Sequence, residues 1–123
     1  MSDPRGALEA LDRAEAITSR DPRIDELRAR IYLYLGNLAR ARRALVEGTE
    51  RNPLLYTPWL RLADFDEFAL NRPGAAIPNL RRALVLHRFH GNGQLENRIE
   101  QARKKVRFQR RDRERARAAA EGR

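Results

Sequence analysis

The sequence has no cysteine and no long apolar run, and each absence excludes a class of protein. Without cysteine there is no disulfide, no thiol nucleophile and no cysteine-ligated zinc site. A transmembrane helix needs roughly 18 or more consecutive apolar residues, and no such run is present. The first residues, Met1-Ser2-Asp3-Pro4, are acidic and have no apolar core, so we expect no signal peptide. A cytoplasmic protein is therefore the expectation.

Groups that could perform catalysis or bind a metal are scarce. The two histidines, His87 and His90, are spaced to share a metal ion, but no clear further ligand completes a site, so surface histidines are the favoured interpretation. Asp64, Asp66 and Glu67 form an acidic cluster that suits a solvated or salt-bridged helix face better than acid–base catalysis. There is no glycine-rich phosphate loop and no nucleophile elbow. We expect no enzyme activity, catalytic residue, metal site or cofactor.

Positive charge is what the sequence has in excess, and it is unevenly distributed. The 123 residues carry a net charge of +9. Residues 98–123 contain 11 basic and 4 acidic side chains, a balance of +7, whereas residues 1–97 have a balance of only +2. A chain of this length suits one domain with one core. The excess positive charge of the chain lies in its C-terminal quarter.

A pattern of small, large and small side chains recurs three times, 34 and then 35 residues apart. Small side chains allow two antiparallel helices to approach closely, and Leu11, Leu45 and Leu80 would fill the space between them. Because one helix pair cannot bury its apolar face alone, successive pairs must stack. The three segments are 7–14, 41–48 and 76–83, and their small residues are Ala7, Ala14, Ala41, Gly48, Ala76 and Ala83.

Three further segments carry a family resemblance: an aromatic helix start, a turn leading into a helix, and a closing proline. They are Trp59-Leu60-Arg61-Leu62-Ala63, Leu35-Gly36-Asn37-Leu38-Ala39-Arg40-Ala41 and Asn52-Pro53. Together with the recurring small residues they resemble the tetratricopeptide repeat, whose unit has about 34 residues. The resemblance covers roughly residues 5–90, and the position of Trp59 implies a role in core packing rather than as an interface anchor. The sequence departs from the family pattern at Arg28, Asp66, Glu67 and Pro78.

Caps and prolines predict six helices. Asp3 or Ser2 before Pro4, and Asp21 before Pro22, each provide a capping side chain next to a proline at the first helical position. Gly36 and Asn71, which match at an offset of 35 residues, are expected to adopt positive φ at helix ends. Proline is tolerated in the first turn of a helix, so Pro78 places the start of the fifth helix near residue 75. The predicted helices are about 4–19, 22–36, 38–51, 55–70, 75–87 and 94–120.

These features predict an all-α fold, a short antiparallel helix-hairpin solenoid of about six helices with a basic C-terminal helix. Residues 1–92 would form half a repeat unit and two whole units. Residues 93–108 would form a capping helix, and residues 109–123 a basic tail, helical or disordered. Because the first helix matches the second helix of a unit, we expect a fragment of a longer solenoid, an end covered by a partner, or self-association through that open end.

The family resemblance implies a groove for a partner. In this family the first helices of successive units line a concave face that holds a peptide or a helix, and here they are the second and fourth helices. We therefore predict an interaction scaffold, adaptor or small assembly subunit that binds another protein within a larger complex. For any one residue, ordinary solvent-facing surface is the alternative. The predicted partner-binding residues are Asp25, Arg28, Ala29, Tyr32, Leu60, Asp64 and Glu67.

The basic C-terminal helix supports an alternative function, accessory binding of nucleic acid through phosphates. Phe108 is its lone aromatic residue, so base stacking has little support. The distal tail has no apolar face for a membrane surface, and a solvated helix end or docking on an acidic protein are further interpretations. The candidate anion-binding residues are Arg103, Lys104, Lys105, Arg107, Arg110, Arg111 and Arg113.

Overall fold

A computed structural model describes residues 2–87 and 93–122, and these residues form an all-α fold. No β-strand occurs within these two ranges, and none of their helices is long and apolar enough to cross a membrane. The prediction of an all-α fold with about six helices is confirmed. The helices are α1 (Pro4–Ile17), α2 (Pro22–Tyr34), α3 (Leu38–Arg51), α4 (Tyr56–Asp64), α5 (Pro73–Leu86) and α6 (Gln94–Glu121), and a π-helical turn, Phe65–Ala69, continues α4.

Polar side chains cap the first three helices. Asp3 and Asp21 each accept a hydrogen bond from a backbone N–H in the first turn of α1 and α2, at 2.9 and 3.0 Å. Asn37 does the same for α3 at 3.0 Å. Where α2 and the π-helical turn end, Gly36 and Asn71 have φ angles of 75° and 51°. The predicted caps and the predicted positive φ angles are therefore confirmed.

The predicted start of α5 near residue 75 is wrong, because α5 begins at Pro73 and contains Pro78 in its interior. Pro73 occupies the first turn, where a missing N–H leaves no partner unsatisfied. Pro78 removes the bond that the carbonyl of Gly74 would have accepted. Both residues are exposed, so water can satisfy that carbonyl and the helix tolerates the proline.

The larger part of the core lies between α4, α5 and α6. Leu80 is 0% exposed, and Ala76 and Ala83 beside it on α5 are also fully buried, as the small-large-small pattern predicts. Trp59 packs on this cluster as a half-buried side chain, and its indole N–H donates to the carbonyl of Pro53 at 3.0 Å. The buried residues of the cluster are Ala63, Ala76, Leu80, Ala83, Leu95, Ile99 and Ala102.

A second apolar cluster joins α2 and α3 to α4. Leu62 and Phe65 from α4 and its π-helical continuation pack against it, while Ala63 belongs to the larger cluster. The two clusters therefore meet on opposite sides of α4, which ties both halves of the chain together. The other buried members of the second cluster are Ala29, Ala41, Ala44 and Leu45.

Helix α1 is attached differently, because it contributes no buried residue to the core. Charged pairs connect it to α2 and α3: Arg28 donates to Asp12 at 2.8 Å and to Glu15, and Arg51 also pairs with Glu15. The hydrogen bond from Arg28 lowers the pKa of Glu15 below its usual value, although partial burial opposes that shift. Ala7 is only half-buried, so the first of the three recurring segments packs less closely than the other two.

Candidate partner-binding groove

A cavity of about 330 Å³ lies between α2 and the segment formed by α4 with its π-helical turn. These are the two helices that the repeat resemblance assigns to a partner groove, and we name the cavity the α2–α4 groove. It is lined by Glu26, Ala29, Arg30 and Leu33 of α2, Leu45 of α3, and Arg61, Asp64, Phe65, Phe68 and Ala69.

The α2–α4 groove exposes two large apolar side chains to solvent. Leu33 is 46% exposed and Phe68 is 63% exposed, whereas Ala29, Leu45 and Phe65 are buried beneath them. Exposed apolar side chains that share one concavity are a common feature of protein interaction sites. The groove therefore offers two apolar contact points over a packed apolar floor.

Acidic side chains of the groove are paired with arginines of the same chain. Glu26 accepts contacts from Arg61 at 3.2 Å and from Arg30 at 3.5 Å. Asp64 pairs with Arg98 of α6 at 2.7 Å. Because these carboxylates already have cationic partners, the groove does not present free negative charge at these positions.

Helix α6 fixes the position of Phe68. The guanidinium of Arg98 lies 5.5 Å from the centre of the Phe68 ring, and the ammonium of Lys105 lies 4.6 Å from it. The same two cations pair with Glu67 at 3.1 and 2.5 Å, and Glu67 is buried. The neighbouring carboxylate thus holds both cations beside the aromatic ring that the groove exposes.

Of the seven predicted partner-binding residues, only Ala29 and Asp64 line the α2–α4 groove. The others face different parts of the chain. Tyr32 lies half-buried with Arg40 above its ring at 5.8 Å, and Leu60 packs against the core of α4, α5 and α6. The predicted residues that the fold buries are Asp25, Arg28, Ala29 and Glu67.

The residues that line the groove have the predicted spacing but start one position later. On α2 they include Glu26, Arg30 and Leu33 beside the predicted Ala29, whereas positions 25 and 32 do not line it. On the other side they include Arg61 and Phe68, each 35 residues after its counterpart on α2. A shift by one residue turns a helical face by about 100°. Leu33 and Phe68, two large apolar residues at equivalent repeat positions, were the signal in the sequence that could have identified this face.

Asp25 is a buried carboxylate rather than a surface residue of the groove. It is 1% exposed, and neither of its oxygens has a hydrogen-bond partner within the described part of the chain. The guanidinium groups of Arg28 and Arg51 each approach it to 3.7 Å. Burial raises the pKa of Asp25, and the attraction of Arg51 and Arg28 offsets only part of that rise.

Replacing Asp25 by asparagine should increase stability at neutral pH. A raised pKa in the fold means that the ionised form of Asp25 costs stability, so wild-type stability falls as the pH rises from the unfolded pKa, 3.8, through the folded pKa. Asp25→Asn removes this fall, because its amide does not ionise, so the variant should gain stability relative to the wild type as the pH rises from acidic to neutral. Urea unfolding at acidic and neutral pH measures the difference. Asp112→Asn on exposed α6 is the control, and an equal response of both variants would refute the expectation.

The remaining candidate groups have structural partners. Asp66 accepts two hydrogen bonds from Arg42, at 2.7 and 3.1 Å, so the acidic cluster is paired with arginines from other helices. The His87 ring stacks on Tyr56 with 3.8 Å between ring centres, and His90 lies outside the described residues. In the ranges that the structure covers, no three histidine or carboxylate side chains are grouped to hold a metal ion.

The candidate anion-binding residues lie on one continuous helix that extends to Glu121. Arg103 and Arg107 reach Glu100 at 3.7 and 3.5 Å, and Lys105 pairs with Glu67. The rest of the predicted set has no ion pair with any described residue. These unpaired cations are Lys104, Arg110, Arg111 and Arg113.

No protein-family model matches the chain, and no curated protein matches it. The function of the α2–α4 groove and of α6 is therefore inferred from their own geometry and chemistry.

Proposed function

We propose that this protein is a cytoplasmic adaptor of tetratricopeptide-like helical hairpins whose α2–α4 groove binds a peptide or short helix of another protein. The observation that carries the proposal is the exposure of Leu33 and Phe68 in one groove. Both side chains could bury further apolar surface only against a partner. Such a chain would act as a small subunit of a larger assembly rather than as an enzyme.

The chemistry of the groove indicates the kind of segment that it would accept. Apolar side chains of a partner would contact Leu33 and Phe68 and remove them from water, which gains roughly 25 cal/mol per Å² of apolar surface. Arg30 and Arg61 form part of the polar lining, and both already pair with Glu26. An amphipathic helix or an extended peptide with alternating apolar residues meets both requirements. We therefore expect a partner with one or two large apolar anchors and few charges between them.

A peptide-display selection against the whole protein tests this function. Selected peptides should share a large apolar anchor and should bind the variant Leu33→Ala/Phe68→Ala at least ten times more weakly. Truncating a hot-spot side chain at the centre of an interface costs about 2 kcal/mol or more, and a tenfold loss corresponds to about 1.4 kcal/mol. Fluorescence anisotropy with a labelled selected peptide measures the dissociation constants.

The matched control is Leu54→Ala/Val85→Ala, which truncates two exposed apolar side chains that do not line the α2–α4 groove. It should bind the selected peptides as the wild type does. Circular dichroism and urea unfolding establish that both double variants are folded. Selected peptides that bind both variants equally, or a selection that yields no binder, would contradict the proposed function.

A further inference from the structure

The distal half of α6 projects from the rest of the molecule. The side chain of Gln109 donates to Asn71 at 3.1 Å, and every residue from Arg110 to Gly122 is exposed. Residues 110–121 of the helix extend over about 18 Å at a rise of about 1.5 Å per residue. Without a buried face, this segment contributes nothing to the core, and its chemistry is available to a ligand.

This segment and the turns before it are densely basic. Between residues 103 and 117 there are nine basic side chains and two acidic ones, Asp112 and Glu114, a balance of +7. Five of the nine have no ion pair with any residue in the described ranges. They are Lys104, Arg110, Arg111, Arg113 and Arg115.

The basic residues lie on two flanks of the helix. Residues three, four or seven apart lie on one side of an α-helix. An outward stripe contains Lys104, Phe108, Arg111 and Arg115, and it lies opposite the face that packs on α5. A second stripe contains Arg110, Arg113 and Arg117, which line one shallow surface depression with Glu114. At about 100° per residue the two stripes are separated by roughly 150° around the helix axis.

Two basic flanks on a projecting helix fit the major groove of duplex DNA. That groove is about 12 Å wide, it admits an α-helix, and it is bordered by phosphates of both strands. A helix with cations on both flanks can therefore contact both borders at once. The flat surface of an acidic protein would meet only one flank. The major groove of A-form RNA is deep and narrow, so it excludes such a helix.

We propose that the distal half of α6 binds duplex DNA through its phosphates, with the helix in the major groove. This activity is separate from peptide binding, since the α2–α4 groove lies between α2 and α4 and does not use residues 110–121. Phosphate contacts carry no sequence information, so binding is independent of sequence. It also weakens steeply with salt, because each neutralised phosphate releases counterions.

The test is fluorescence anisotropy of the whole protein with a labelled DNA duplex of mixed sequence, about two turns long, at several salt concentrations. The logarithm of the association constant should fall with the logarithm of salt concentration by about 0.9 per phosphate contact. The variant Arg111→Gln/Arg113→Gln/Arg115→Gln should make this slope shallower by about 2.7 and weaken binding at least tenfold at low salt. Glutamine is a good helix former, and circular dichroism would verify that α6 remains helical.

The control variant, Arg5→Gln/Arg13→Gln/Arg20→Gln, removes three exposed arginines from α1 and the turn after it. Both triple variants lower the net charge from +9 to +6. A loss of DNA affinity that is confined to the α6 variant therefore assigns binding to α6. An equal loss in both variants, or a salt-independent affinity, would overturn the proposal. Polyglutamate that competes as well as DNA at equal charge would also overturn it, as would tighter binding to an RNA duplex.

Discussion

Replacing Leu80 by alanine should lower the free energy of unfolding by about 3 kcal/mol, within the roughly 2–5 kcal/mol found when buried leucines are truncated. Leu80 is 0% exposed and lies where α4, α5 and α6 meet. Many of its cluster neighbours are alanines, among them Ala63, Ala76 and Ala83. Such short side chains cannot move into the vacated space, so the cavity persists and the cost is not relieved. Domains of this size commonly have only about 5–15 kcal/mol of stability, so the expected loss is a large share.

Equilibrium urea unfolding followed by circular dichroism measures this loss. Val85→Ala is a suitable control because Val85 lies on the same helix and is exposed. That control should change the free energy of unfolding by no more than about 0.5 kcal/mol. Similar losses for the two variants would mean that Leu80 does not fill the space between α4, α5 and α6.

The importance of Leu80 could be predicted from the sequence because it depends on local spacing. Small residues four before and three after a leucine define one side of a helix wherever that helix packs, so the sequence predicts that Ala76, Leu80 and Ala83 share one packed side. Helix starts were predictable for a similar reason, since Asp3 and Asp21 cap through bonds only two or three residues long. In each case the determining contacts lie within one or two helical turns.

The face of α2 that lines the groove could not be predicted in the same way. Ile24, Arg28 and Ile31 are buried, so the packing of α2 against other helices sets its rotation. From the sequence alone, a charged residue such as Arg28 is expected at the protein surface. Its burial depends on the carboxylates of Asp12 and Glu15, and those belong to another helix. The error of one residue in the predicted face follows from that long-range pairing.

The π-helical turn was also absent from the prediction, which treated residues 55–70 as one regular helix. Here the backbone N–H of Leu70 donates to the carbonyl of Phe65 at 3.1 Å, five residues back instead of four. Two adjacent carboxylates in this turn bind different helices: Asp66 pairs with Arg42 of α3, and Glu67 pairs with cations of α6. These partners are 24 to 38 residues away in sequence, and no local pattern identifies them.

Replacing Arg42 by alanine should lower the free energy of unfolding by about 2–3 kcal/mol, because it leaves the carboxylate of Asp66 buried without a counter-charge. Asp66 has only 1% of its side chain exposed, whereas the Arg42 side chain is 40% exposed. Breaking a fully buried pair lowers the free energy of unfolding by roughly 3–5 kcal/mol. Because Arg42 is partly exposed, the loss here should lie at or below the low end of that range. Helix propensity is not the cause, because alanine is at least as good a helix former as arginine.

A matched control lies next to Arg42 on the same helix. Arg43 is mostly exposed, and its contact with Glu47, one turn along α3, is 3.5 Å long. Surface pairs of this kind contribute only about 0.3–0.5 kcal/mol, so Arg43→Ala should change stability by no more than that. Equal losses for the two substitutions would show that the Arg42–Asp66 pair does not stabilise the turn.

A double-mutant cycle then separates the pair from the rest of the molecule. Asp66→Ala removes the buried charge and leaves Arg42, which can hydrate where it is exposed. In that background Arg42→Ala should lower the free energy of unfolding by less than about 0.5 kcal/mol, because the carboxylate that would lose its partner is already absent. The coupling energy would then be about 2 kcal/mol. An additive cycle would contradict a stabilising pair between Arg42 and Asp66.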